Sequence, residues 1–355
     1  MKRLLLAILF LAASPAAYGA ELDLIDARDA QDAPFNVIFD TDIGGDIDDA
    51  FALAVVHRFA DRGVCKFLGV TLTNEARDAA SFVAAQNALY GRPSLPVGVP
   101  KSAGRNTDRY LSETLAQKND DGSFEYPVPE GFKPEEAVAL LRRLLADAED
   151  NSVVMIQVGF STNLAALLDT AADDVSPLSG KELVAKKVRL LSKMGGSFAP
   201  DPSAKYYVEL AEWNIKNDAP AAQKLAKEWP TPILYSGAEV GDAVRMSPTN
   251  LKRDYRSPKA KFLRDAYVHW ASHAAPNEGL NHRRPTWDIT SVLFVMRPEE
   301  GRGYFSVSEP LDVSFDDSGV TQFAPNPEST RRIFLLDDAA KIRVAEAIVN
   351  VCSEP

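Results

Sequence analysis

Cysteine and histidine are scarce in this chain of 355 residues, with two of the first and four of the second. Cys65 and Cys352 stand too far apart for a closely spaced metal motif, and neither has the neighbourhood of a known nucleophile. In an oxidising compartment they have the option of a disulfide, and two separate small buried residues is the equal alternative. Positive charge is in deficit as well. Lys and Arg number 39 against 50 Asp and Glu, a formal net charge of -11, which argues against a broad phosphate-binding surface and hence against a nucleic-acid partner. A small ligand or a metal cation suits this balance better. Internal repeats, low-complexity tracts and a domain linker are also missing, and beyond the first residues no apolar run is long enough to span a bilayer.

Hydrophobic residues at 46% and charged residues at 25% are the balance of a soluble globular protein with a sizeable core. The basic start Met1-Lys2-Arg3, the apolar run Leu4 to Ala13 and the small residues around Ala17-Tyr18-Gly19 read as a secretory signal over residues 1–20. The expectation is an exported protein, secreted or periplasmic, with no membrane anchor in its mature form.

Along the rest of the chain β-prone runs alternate with helical ones. Asn36 to Phe39, Phe67 to Leu72, Val153 to Val158, Val188 to Leu191 and Ile233 to Tyr235 read as strands, and Ala79 to Tyr90, Thr162 to Leu168 and Ala219 to Lys227 as helices. This alternation predicts an α/β fold, an open, mainly parallel sheet with helices on both faces. Ligands bind such sheets beyond the carboxyl ends of their strands. Lys101 to Pro129 reads as a long surface loop, Gly303 to Phe323 as a hairpin around Asp316-Asp317-Ser318-Gly319, and Asp337 to Val351 as a terminal helix.

The strongest chemical signal directly follows the first strand. Asp40-Thr41-Asp42-Ile43-Gly44-Gly45-Asp46-Ile47-Asp48-Asp49 holds five carboxylates in ten positions. Like charges crowded together cost energy unless a cation sits among them, and a hard divalent ion with oxygen ligands is the economical answer. One of the pair Asp48 and Asp49 is expected to cap the helix beginning near Ala50.

These residues resemble the signature of the inosine-uridine preferring nucleoside hydrolase family: an apolar strand, Asp-x-Asp, a glycine turn and Asp-Asp-Ala. The turn here is longer than the commonest form, and Ile43 stands where a proline is usual. The likeness continues through Gly69-Val70-Thr71-Leu72-Thr73-Asn74, Val158-Gly159-Phe160-Ser161-Thr162-Asn163-Leu164, Met194-Gly195-Gly196, Ala211-Glu212-Trp213-Asn214 and Trp287-Asp288. The resemblance implies that residues 21–355 form a single nucleoside hydrolase-like domain. It also implies that Asp42, Asp49, the Val158 carbonyl and Asp288 hold Ca²⁺, that Asp42 is the general base, and that Asp48, Asn74, Glu212 and Asn214 grip the ribose of a nucleoside. The implied activity is Ca²⁺-dependent release of nucleobase and ribose, as in nucleoside salvage. Family members are commonly oligomers, so a homo-oligomer is expected. Trp287 occupies the place where many members carry a histidine that protonates the leaving base. Indole is no general acid but can stack on a nucleobase, with Tyr206, Tyr207 or Trp213 as companions. His282 is the best substitute acid among the four histidines; His57 reads as structural, and His269 with His273 as a helix-surface pair.

Two other readings compete. A haloacid-dehalogenase-type phosphatase also uses Asp-x-Asp after a strand, but it normally has Thr or Val where this chain has Gly44. A non-catalytic protein that binds a nucleoside or ribose through the metal is the other, and Trp287 favours it.

Overall fold

The computed structural model describes residues 34–102, 104–198, 211–246, 257–296, 305–336 and 340–353. The expected signal segment 1–20, Tyr206 and Tyr207 lie outside these residues.

An apolar run with β-branched residues forms β1 (Phe35–Thr41), buried from Val37 onward because both faces of the strand are covered. The next strands in the chain are β2 (Cys65–Leu72), β3 (Val97–Val99), β4 (Glu135–Glu136), β5 (Val153–Gln157), β6 (Val188–Met194) and β7 (Ile233–Ser236). Two residues each in β8 (Arg245–Met246) and β9 (Arg284–Pro285) pair antiparallel. They are followed by β10 (Phe305–Val307), β11 (Leu311–Phe315), β12 (Thr321–Pro325) and β13 (Arg331–Leu336).

Nine of these make one sheet in the order β10-β13-β7-β6-β5-β1-β2-β3-β4. All pairings in it are parallel except β10 with β13, so the expected mainly parallel α/β sheet is what the chain forms. From β1 the chain builds outward through β2, β3 and β4, then returns to β5 on the other side of β1 and builds outward through β6 and β7. The reversal lies between β1 and β5, and loops leaving their carboxyl ends diverge there to open a crevice.

Two apolar cores cover the sheet. One packs the helices Asp48–Asp61, Trp287–Met296 and Lys341–Ser353 against it, and the other packs Ala137–Asp147, Thr162–Leu168 and Ala219–Glu228. The hairpin expected around Asp316 is present as β11 and β12, its turn closed by Asp316 Oδ1 accepting from Ser318 N at 2.9 Å and Val320 N at 3.0 Å.

Two expectations need correction. Residues 101–129 are more ordered than a bare loop. Asp108 Oδ1 accepts from Leu111 N at 2.8 Å and starts the short helix Leu111–Leu115, and Lys118 bridges to Phe124 beyond it. Neither Asp48 nor Asp49 caps a helix either. The cap position of Asp48–Asp61 falls on Ile47, and both aspartates lie buried in the first turn with their carboxylates turned to other work.

Candidate metal and sugar site

The loop from Asp42 to Ile47 leaves β1 at the reversal point. Its course is set by Gly44, whose φ of +124° is a conformation L side chains rarely adopt, and where an added Cβ would meet the Thr107 carbonyl oxygen at 2.5 Å. Gly159 makes room from the other side, because a Cβ there would meet the Asp42 backbone nitrogen at 2.5 Å. Asn74, at the end of β2, locks the arrangement. Its amide nitrogen donates to the Ile43 carbonyl at 2.8 Å and the Thr107 carbonyl at 2.7 Å, and its oxygen accepts from Ala76 N at 3.1 Å and Thr107 N at 3.0 Å. That fills the amide's hydrogen-bonding capacity. Here Asn74 ties the acidic loop to the 101–129 segment.

The turn brings Asp48 and Asp49 against Asp288, which starts the helix Trp287–Met296 from the far end of the chain. One carboxylate oxygen of each lies within 4.8 Å of the others, and all three residues are buried. Asp48 Oδ2 accepts from Asp288 N at 3.1 Å, and Thr41 Oγ1 donates to Asp49 Oδ1. All three carboxyls are pushed well above the usual carboxylate range, first by burial and then by the neighbouring carboxylates. This donor set fits a hard cation, which would offset both burdens.

Asp42 stands outside that trio, although its charge acts on all three members. It keeps partial solvent access, and its carboxyl is raised to about 7 by burial, with Glu212 and Asp40 adding to the rise while its own backbone N–H and Arg105 oppose it. The Val158 carbonyl, one residue beyond β5, accepts from Asn214 Nδ2 at 3.1 Å, which leaves its second lone pair for another partner. Asn214 and Glu212 approach from the helix Trp213–Asn217. Glu212 caps that helix, accepting from Asn214 N at 2.8 Å and Ile215 N at 3.1 Å, and also accepts from Gly196 N at 3.4 Å. Burial raises its carboxyl. Trp213, between the two, is 64% exposed.

Trp287 is half-buried. Its indole Nε1 donates to the Ala238 carbonyl at 3.1 Å, and Gly241 lies so close to the ring that an added Cβ would be 2.3 Å from its Cδ1. The Arg284 guanidinium sits 4.7 Å from the Trp287 ring centroid and pairs with Asp46. His282 faces Glu278 at 3.1 Å, while His269 and His273 both face Glu113 at 3.1 Å from the helix Pro258–Ala274. His57 is buried, stacked on Tyr90 and bonded to Asn87 at 2.8 Å, and burial pushes its imidazole down to about 3.

A buried polar layer joins Asp40, one of the five crowded carboxylates, to Thr71 and Asn163, with Lys193, which sequence reasoning missed, close by. Asp40 accepts from Thr71 Oγ1 at 2.6 Å and Asn163 Nδ2 at 2.8 Å, and burial raises its carboxyl to about 6. Lys193 donates to Gln157 Oε1 at 2.5 Å and Ser161 Oγ at 3.0 Å, and burial lowers its ammonium to about 8 against the pull of Glu212 and Asp218. The signal for Lys193 was a charged residue directly before Met194-Gly195-Gly196, at the end of a strand that reads as apolar. Arg105 was missed too, because it lies in a segment without periodicity.

A family model described as "inosine-uridine preferring nucleoside hydrolase" matches residues 37–349. No curated protein matches the sequence. Among solved structures the chain is similar to a plant nucleoside hydrolase, PpNRh1, with 20% identity, a TM-score of 0.67 and coverage of 91% of this chain and 100% of that one. It is similar to a purine-preferring ribonucleoside hydrolase from Gardnerella vaginalis at 20% identity, a TM-score of 0.64 and coverage of 90% and 99%. It is also similar to the type III effector XopQ, solved with adenosine diphosphate ribose, at 15% identity, a TM-score of 0.63 and coverage of 96% and 97%.

Proposed function

Because the chain belongs to the inosine-uridine preferring nucleoside hydrolase family, we propose that it hydrolyses the N-glycosidic bond of ribonucleosides with Ca²⁺, releasing nucleobase and ribose. The observation that carries this reading is the buried trio Asp48, Asp49 and Asp288 beside Asp42, Glu212 and Asn214 at the reversal point of the sheet.

Asp49 and Asp288, with Asp42 and the Val158 carbonyl, are the proposed cation ligands, and the proximity of Asp48 supports adding it to their number. Bound there, Ca²⁺ supplies Lewis acidity and oxygen-binding positions for a sugar diol and water. Asp42, partly open to solvent beside the trio, accepts the proton of the attacking water. Glu212 and Asn214 take ribose hydroxyls. Glu212 is already oriented by three backbone donors, so little reorganisation is needed when the sugar arrives. The N-terminal pattern of residues 1–20 supports an exported enzyme.

A nucleoside panel tests the proposal. Reducing sugar should be released, lost with EGTA and restored by Ca²⁺. A second reading, binding without turnover, is favoured by Trp287, whose N–H is spent on Ala238 where a proton donor to the base is usual. Tight nucleoside binding with no sugar released would select it.

A further inference from the structure

If the ribohydrolase reading holds, the leaving base departs with the electron pair of its glycosidic bond and needs positive charge at the rim of the cleft. Trp287 supplies none, and Arg284 is engaged by Asp46. Arg105 is placed differently. Its backbone is fixed by Glu75 N donating to the Arg105 carbonyl at 2.7 Å, and its side chain reaches across the crevice. The guanidinium lies 3.4 Å from the centroid of Phe160, two residues beyond Val158, and donates through Nη2 to the Asn217 carbonyl at the end of the helix that Glu212 caps. Asp42 and Asp218 are the carboxylates whose charge acts on it, yet among the described residues neither is within ion-pair distance. Its Nε is buried without a hydrogen-bond partner.

A guanidinium carries five N–H donors, so most of this one is uncommitted. It is weakly hydrated, stacked on an aromatic face and held at both ends of its reach, the condition in which a fixed charge contributes most to a developing anion. Asp48, Asp49, Asp288 and Asn214 are buried, whereas Arg105 is partly and Trp213 largely exposed, so the proposed seat of the sugar is the buried end and that of the base the open one. There Phe160, Arg105 and the exposed ring of Trp213, one helical turn from Asn217, offer flat surfaces to a planar heterocycle.

We propose that Arg105 is the catalytic residue for the leaving group, hydrogen-bonding the nucleobase as negative charge develops on it. The bond from C1′ to the base nitrogen breaks with its electron pair going to the base, the water oxygen joins C1′, and the water proton passes to Asp42. Arg105 stays protonated throughout, so the base leaves as a hydrogen-bonded anion and takes its proton from solvent.

The test compares inosine and uridine with 4-nitrophenyl β-ribofuranoside, whose phenolate departs without help. Arg105→Met keeps an unbranched chain able to reach Phe160 and removes the charge; Arg105→Lys keeps a charge with fewer donors. With Arg105→Met, kcat on inosine and uridine should fall about 100-fold, the scale of losing one preorganised donor, while the nitrophenyl riboside changes less than about threefold. Arg105→Lys should recover part of the loss on nucleosides. An equal fall on all three substrates, or no fall on any, would overturn the role of Arg105 while leaving the ribohydrolase intact. A wild-type protein that cleaves none of them would remove both. Matching thermal unfolding of the variants separates a chemical effect from misfolding.

Discussion

Asp49 answers to two opposed demands: without a cation its charge is a burden among Asp48 and Asp288, and in the proposed function it is a cation ligand. Asp49→Asn keeps an oxygen to accept from Thr41 while removing the charge. It should raise the unfolding temperature in chelator and weaken Ca²⁺ binding by at least about 10–100-fold in Kd by calorimetry, since even indirect partners of a metal cost that much. Unchanged Ca²⁺ affinity would remove Asp49 from the ligand set. The same carboxylates give a pH dependence. A carboxyl whose folded pKa is raised binds more protons folded than unfolded, so stability falls as pH rises from the unfolded value to the folded one. Those windows run from 3.8 to about 6 for Asp40 and to about 7 for Asp42. In EGTA, unfolding should therefore come at lower temperature at about pH 8 than at about pH 5, and added Ca²⁺ should help more at the higher pH. A Ca²⁺ effect of equal size at both would contradict the coupling.

Glu212 caps its helix, and its proposed second role, holding the sugar, separates from the first. Glu212→Gln retains one of the two oxygens that accept backbone N–H groups and should destabilise less than removal of the side chain while raising KM for nucleosides. Glu212→Ala should in addition cost about 0.5–2 kcal/mol of stability in denaturant titrations, the range for losing an N-cap. Gly44→Ala should cost about 1–3 kcal/mol, because the turn keeps a backbone conformation foreign to alanine. The strands were legible in the sequence because burial on both faces leaves near-continuous apolar runs, Thr162–Leu168 falls where the pattern placed it, and the crowding of aspartates after β1 pointed to the acidic cluster that Asp48, Asp49 and Asp288 form. The helix Ala137–Asp147 was not among those read from the sequence, although Leu140, Leu141, Leu144 and Leu145 lie on one buried face. Arg105 was illegible because its surroundings come from distant parts of the chain, and for Lys193 the charge beside the paired glycines did not reveal its buried partners Gln157 and Ser161. The mistaken cap had a simpler cause. Aspartate's preference for helix starts was overridden by the need to bury Asp48 and Asp49 against Asp288.

In the molecule as a whole, Cys65 in β2 and Cys352 in the last helix are both buried and form no disulfide. Burial pushes the Cys65 thiol up to about 12, so little of it is thiolate at neutral pH. The folded protein should resist alkylation, and reductant should leave its unfolding temperature unchanged; a shift downward with reductant would reveal a cross-link. Asp288 joins Asp48 and Asp49 across more than two hundred residues, so the acidic trio exists only once the helices Asp48–Asp61 and Trp287–Met296 have packed together in one layer on the sheet. Asn74 extends this dependence to the crevice wall. Because one side-chain amide fastens two loops of different lineage, neither can be exchanged alone: a designer who transplants the 101–129 segment from a relative must carry the acidic turn with it, or lose both.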